Sequence, residues 1–130
     1  MKLDVYLRFR GTALKAMEFY RQVFQTEFVG PVLIDPTTNR LINACLDVGG
    51  VLISASDVED EISTVLSSIS LVVKVETHEE AERIFEQLAT AGKVLVPLAP
   101  QDWGDEWGQV MDGFGITWEI LVPGQMNDNV

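Results

Sequence analysis

Cysteine and histidine are almost absent from this chain: Cys45 and His78 are the sole examples of each among 130 residues. One cysteine cannot close an internal disulfide, and the pair lacks the Cys/His spacing of a structural zinc site, so folding must rest on packing. Positive charge is also scarce. Nine Lys and Arg face twenty Asp and Glu, for a formal charge of -11 and a pI near 4.3. Such a surface repels polyanions at long range, which makes nucleic acid and anionic membranes poor partners. There is no apolar run of about 18 residues that could span a bilayer. The N-terminal Met1 to Val5 shows neither a basic region nor a small-residue cleavage site. The expectation is a cytoplasmic protein with no membrane or nucleic-acid partner. With 47% hydrophobic residues, residues 1–130 can bury one good core, and a single domain is the default.

What is present is periodic. Leu3, Val5, Leu7 and Phe9 alternate with Asp4, Tyr6 and Arg8, the period-two pattern of a strand with one face on a core. Gly11-Thr12 breaks that pattern, and from Ala13 to Phe24 apolar residues recur every three or four positions, as an amphipathic helix requires. Three strands follow, around Phe28 to Ile34, Leu41 to Leu46 and Val51 to Ser54, separated by Asp35-Pro36-Thr37-Thr38-Asn39 and Gly49-Gly50. The acidic segment from Asp57 to Glu61 suits the start of a short linking helix over about 57–67, because a helix N-terminus favours carboxylates.

The order then repeats. Ile69 to Val75 alternates as a strand, and Thr77-His78-Glu79-Glu80 has capping-box spacing before a helix from Ala81 to Ala91. Val94 to Leu98 reads as a strand interrupted by Pro97, while Gly108 to Met111 and Ile116 to Val122 flank the turn Asp112-Gly113-Phe114-Gly115. At an offset of about 65 residues, Thr12 meets Thr77, Ala16 meets Ala81, Gln22 meets Gln87, Asp47 meets Asp112 and Gly50 meets Gly115. Asp-x-x-Gly thus separates two apolar strands in each half, aspartate bonding the turn backbone and glycine accepting positive φ. The halves are expected over about 1–56 and 68–124.

Arg8-Phe9-Arg10-Gly11-Thr12-Ala13-Leu14-Lys15-Ala16-Met17-Glu18-Phe19-Tyr20 with Val23-Phe24 resembles the first strand and helix of PhnB-like proteins. The segment from Trp103 to Glu119 is similar to the closing hairpin of that family, and Val75 to Lys93 fits its second helix. The resemblance spans nearly the whole chain. It places the protein with the glyoxalase, bleomycin-resistance and extradiol dioxygenase relatives of the vicinal oxygen chelate superfamily. It implies an α+β fold of two βαβββ modules whose curved mixed sheets form a cup, often within a homodimer.

In metal-using relatives a divalent ion is held by His and Glu from the first and last strands of each module. Strand parity selects the residues facing the cup here. With Val5, Leu7 and Phe9 on the helix, Asp4, Tyr6 and Arg8 face it; so do Ser70, Val72 and Lys74, and Thr117, Glu119 and Leu121. The family's metal positions then fall on Asp4, Ser54, Ser70 and Glu119. Only Glu119 keeps the expected residue type, and serine is a poor ligand unless deprotonated. Asn43 stands where PhnB-like proteins often carry a histidine. The resemblance therefore implies no resident cofactor, with a divalent metal at Asp4 and Glu119 as the weaker alternative.

Glu119 is the candidate catalytic residue. A carboxylate between Trp118 and Ile120 is unfavourable unless it meets a polar pocket or a partner. It could act as a base, bind a cationic ligand group, or pair with Arg8 or Lys74. The candidate ligand-binding residues are Asp4, Tyr6, Arg8, Asn43, Ser54, Ser70 and Lys74, with Trp103 and Trp107 at the rim. Cys45 in an apolar strand reads as a small buried hydrophobe, and His78 as a surface residue near a helix cap. The leading expectation is a protein that binds a small molecule in its cup, as a homodimer. The alternatives are a metal-dependent lyase, isomerase or dioxygenase using Glu119 and Asp4, and a structural or regulatory dimer whose cup is filled by side chains.

Overall fold

A computed structural model describes residues 1–59 and 69–124. The chain divides into two compact units, 1–65 and 66–130. Each unit has the element order strand, helix, three strands. In the first these are β1 (Val5–Phe9), α1 (Ala13–Val23), β2 (Leu33–Ile34), β3 (Leu41–Val48) and β4 (Val51–Asp57). In the second they are β5 (Leu71–Lys74), α2 (His78–Ala89), β6 (Lys93–Pro100), β7 (Glu106–Met111) and β8 (Thr117–Val122). The sheets run β1-β4-β3-β2 and β5-β8-β7-β6, the first pair of each parallel and the others antiparallel. Identical topology in both units is the structural form of the sequence repeat. Each unit has the βαβββ order of the glyoxalase and bleomycin-resistance fold.

The helical periodicities become the buried faces. Ala13, Ala16, Met17, Tyr20 and Val23 of α1 are buried, as are Leu41, Ala44, Leu46, Ile53 and Ala55 of the first sheet. In the second unit Ala81, Ile84, Phe85 and Leu88 of α2 are buried together with Val110, Trp118 and Ile120. Leu41 and Ala44 are both buried although their spacing is odd. The ladder explains this: Leu33 pairs with Asn43 but Ile34 with Leu41, so Ile42 is an extra residue at a bulge and stands 52% exposed. Gly108 is required by packing, since a Cβ there would lie 2.7 Å from Leu98 Cα and 2.8 Å from the Phe85 ring.

The shared Asp-x-x-Gly signals close different turns. Val48 pairs with Val51 across a two-residue loop, and Asp47 Oδ1 accepts from Gly50 N at 2.8 Å. In the second unit Met111 pairs with Thr117, leaving a longer loop, and Asp112 turns inward with 3% exposure. Its Oδ1 accepts from Phe114 N and Ile116 N at 2.8 and 3.0 Å, and its Oδ2 from the buried Trp118 indole at 2.8 Å. Gly50 and Gly115 both sit at φ 90°, where glycine carries no Cβ penalty.

Two expectations are corrected here. Asp57 ends β4 and does not open a linking helix; the pairing continues one residue on, with Val58 N donating to Phe9 O at 2.8 Å. The rest of the expected helix, 60–67, lies outside the described residues. Asp57 instead fastens α1, whose preceding Thr12 makes no side-chain cap bond. Its Oδ1 accepts from Gly11 N and Ala13 N at 2.7 and 3.0 Å, and its Oδ2 from Leu41 N at 2.9 Å. The α2 cap follows the sequence expectation, with Thr77 Oγ1 accepting from Glu80 N at 3.2 Å. Cys45 is the second correction. It is half-buried and pairs with Ser54, while its neighbours Ala44 and Leu46 point into the core, so it lies on the face away from α1.

Candidate functional site

In each sheet one face is covered by its helix and the opposite face carries the candidate residues. On the first sheet, Tyr6 is 47% exposed and Arg8 is also exposed, while Phe9 is buried. The Arg8 guanidinium carbon lies 5.1 Å from the Tyr6 ring centroid, a cation–π contact. Tyr6 pairs with Ser54, which pairs in turn with Cys45. Asn43 is half-buried beside the Ile42 bulge. Asp4 precedes β1 and is used locally: its Oδ1 accepts from Leu52 N at 3.1 Å and lies 3.9 Å from Lys2 Nζ.

On the second sheet the parity expected of β8 holds, with Trp118 and Ile120 buried and Thr117, Glu119 and Leu121 half-buried. Glu119 lies opposite Gln109 on β7 and Val72 on β5. Its Oε1 accepts a 2.9 Å hydrogen bond from Trp107 Nε1. Trp107, two residues before Gln109, shares its face, so an indole N–H meets the carboxylate across two neighbouring strands. The rings of Trp107 and Trp103 stand 6.0 Å apart at 59°. Three sequence candidates, Trp103, Trp107 and Glu119, are therefore assembled by one hairpin and its approach loop. Gln109 is not among the sequence candidates; its two-residue spacing from Trp107 carried the signal.

The loop that presents Trp103 is held at both ends. Gln101 N donates to Asp105 O at 2.8 Å and Gly104 N to Gln101 O at 3.1 Å. Gln101 Nε2 donates to Ala99 O and Trp107 O, and Asp105 Oδ1 accepts from Gly124 N at 2.8 Å. A Cβ on Gly124 would lie 2.0 Å from Gly104 O, a close approach that only glycine permits. Trp103 nevertheless remains 57% exposed. An indole fixed on a tied loop and left in water is a feature that packing alone does not explain.

The other second-unit candidates stand apart from this cluster. Ser70 is half-buried just before β5, and the exposed Lys74 pairs with Leu121, two residues along the ladder from Glu119. Glu119 therefore meets an indole where the sequence suggested a lysine or arginine. Among the described residues no three His, Cys, Asp or Glu side chains converge as a metal-binding group. A shallow depression along α2, lined by Glu79, Glu82, Arg83, Glu86, Gln87 and Thr90, is a solvated helix face.

His78 is more engaged than a bare surface residue. Its Nδ1 lies 2.7 Å from Glu106 Oε2, and its Nε2 lies 2.8 Å from Glu82 Oε2. A carboxylate at each ring nitrogen suits the imidazolium, which donates from both. The hydrogen bond and charge of Glu106, followed by those of Glu82, hold its pKa above the ordinary 6.5. The pair ties the first turn of α2 to the first residue of β7, next to Trp107.

The family described as 3-demethylubiquinone-9 3-methyltransferase matches residues 1–121. Protein YjdN of Escherichia coli K12 is 26% identical over 140 residues, covering 94% of this chain and 95% of that protein. A PhnB protein of Bacillus cereus is 28% identical with a TM-score of 0.85, over 94% of this chain and 99% of the other. The fosfomycin resistance protein FosX of Listeria monocytogenes, solved with Mn(II) and sulfate, has a TM-score of 0.70 at 12% identity, over 100% and 98% of the two chains. That last likeness is one of fold. Among the described residues, no helix is long and apolar enough to cross a membrane.

Proposed function

Since the chain belongs to the PhnB-like family described as 3-demethylubiquinone-9 3-methyltransferase, within the vicinal oxygen chelate superfamily, we propose that it binds a small organic molecule at Trp103, Trp107 and Glu119 on the open face of its second sheet. The observation that carries this reading is the Trp107 to Glu119 hydrogen bond of 2.9 Å. It orients a half-buried carboxylate and an aromatic plane toward the same region, beside an exposed indole on a tied loop. Apolar surface with a few fixed polar groups is the usual composition of a small-molecule site.

This reading uses no resident metal. The donors present do not fit the His and Glu set of metal-using relatives: Asp4 and Glu119 each already accept from an N–H, and Ser54 and Ser70 are neutral hydroxyls. The test is tryptophan fluorescence with a panel of aromatic and aliphatic small molecules. All three tryptophans, Trp103, Trp107 and Trp118, lie in the second unit, so quenching reports this site's unit directly. Saturable quenching that is lost in Trp103→Ala and weakened in Trp107→Phe supports the reading. A panel without saturable response, or a response indifferent to both substitutions, refutes it.

A second reading is favoured by Glu119 Oε2, which takes no hydrogen bond from the described residues. That oxygen can act as a general base on the bound molecule, taking for example a phenolic proton as the phenol oxygen displaces a thioether from the methyl group of a sulfonium. Incubation with a catechol and a sulfonium methyl donor tests it. Methylated product that disappears in Glu119→Gln, with binding retained, supports catalysis over binding alone.

A further inference from the structure

Resting on the ligand-binding reading, we infer that the group received at Glu119 is an organic ammonium, a protonated amine carried on an apolar or aromatic body. The argument begins with a charge lacking a counter-charge. Glu119 is a half-buried carboxylate in the middle of β8, with Trp118 1% exposed and Ile120 fully buried on either side. A carboxylate drawn out of water is unfavourable unless a donor or a positive charge compensates it. Its protein partner is a neutral indole N–H on one oxygen. The ion pairs of Lys2, Arg21, Arg40 and His78 all go to other carboxylates than Glu119. Of the lysines on the same sheet face, Lys74 sits opposite Leu121 and Lys93 opposite Met111.

The surroundings add the second element of ammonium recognition. The π face of an indole attracts a cation, and Trp107, bonded to the carboxylate, has the ring of Trp103 6.0 Å away and tilted at 59°. Trp103 holds this place without being buried, because the Gln101–Asp105 turn and the Gly104 to Gly124 approach fix the backbone beneath it. An ammonium N–H reaching Glu119 Oε2 would complete the carboxylate and place the attached apolar body against the rings. A neutral hydroxyl would satisfy the oxygen but leave the charge unmatched, and a carboxylate ligand would repel it. At long range, the formal charge of -11 favours the same sign of ligand.

The experiment uses the full chain at physiological ionic strength and near-neutral pH, with three probes of one size: benzylamine, which is protonated, benzyl alcohol and benzoate. Tryptophan quenching and calorimetry measure each. Benzylamine is expected to bind about tenfold or more tightly than benzyl alcohol, because both can donate to the carboxylate but only the amine adds attraction between opposite charges and a cation–π contact, and benzoate should not saturate. Glu119→Gln keeps an acceptor for Trp107 Nε1 but removes the charge, so benzylamine should lose most of its tenfold advantage and benzyl alcohol should weaken by less than benzylamine does. Alcohol or benzoate binding as tightly as the amine overturns the ammonium inference and leaves the binding reading standing. No saturation by any of the three overturns both. The ranking by the unsubstituted protein decides the matter even where the variant fails to fold.

Discussion

Replacing Asp112 by alanine tests the claim that the two Asp-x-x-Gly turns share a sequence signal but not a physical role. Asp112 is 3% exposed and accepts from Phe114 N, Ile116 N and Trp118 Nε1. Hydrogen bonds to a charged group contribute about 1.5–3 kcal/mol each, and a buried donor left without a partner costs about 1–3 kcal/mol. The turn amides can recover water, but the indole N–H of Trp118, a residue only 1% exposed, cannot. Asp112→Ala should therefore lose about 2–4 kcal/mol, or roughly 10 °C in melting temperature for a unit of this size. Asp47 is exposed, and its side chain accepts from Gly50 N. Asp47→Ala should lose only about 0.5–1 kcal/mol. Circular dichroism gives both midpoints, and the fluorescence of the three tryptophans follows the second unit alone. Equal, small shifts for both variants would refute the buried role assigned to Asp112.

Asp57→Ala should destabilise the first unit by about 1–3 kcal/mol, because it removes the acceptor for Gly11 N, Ala13 N and Leu41 N together. Thr12→Ala, whose side chain makes no cap bond, should change stability by less than about 0.5 kcal/mol, and chemical denaturation ranking the two the other way would count against this fastening. The His78 contacts predict a pH dependence of definite sign. Its folded pKa is raised above 6.5, first by the Glu106 hydrogen bond, so protonation favours the folded state; the contribution is complete below 6.5 and fades as pH rises through the folded value. NMR of the sole imidazole should show a midpoint above 6.5 that falls more in Glu106→Gln than in Glu82→Gln. A midpoint at or below 6.5 contradicts the geometry.

Much of this protein is written in local patterns. Period-two alternation specified the more covered face of β1 and of β8, because a strand's side chains alternate whatever it pairs with. The recurrence of apolar residues every three or four positions from Ala13 to Phe24 picked out Met17, Tyr20 and Val23 on the buried face of α1, and Thr77 marked the start of α2. The repeat of element order was legible for the same reason: both halves obey one set of local preferences. Glu119 and the two tryptophans also stood out, as a charge and large aromatics in places that local rules do not explain.

The tertiary structure decided the partners. Nothing local says that Asp57 reaches Gly11 and Leu41, since 46 and 16 residues separate them in the chain. Nor does it say that Ile42 is a bulge, because that depends on which residue of β2 each residue of β3 meets. For Glu119 the local pattern left a base, a cation-binding group and a partner of Arg8 or Lys74 equally open, and the β7–β8 register brings it to Trp107. Element type, element order and apolar faces were legible in the chain, since these follow from each residue's own chemistry and spacing. Register and loop closure decided what each polar group touches, because such contacts join positions that the chain places far apart.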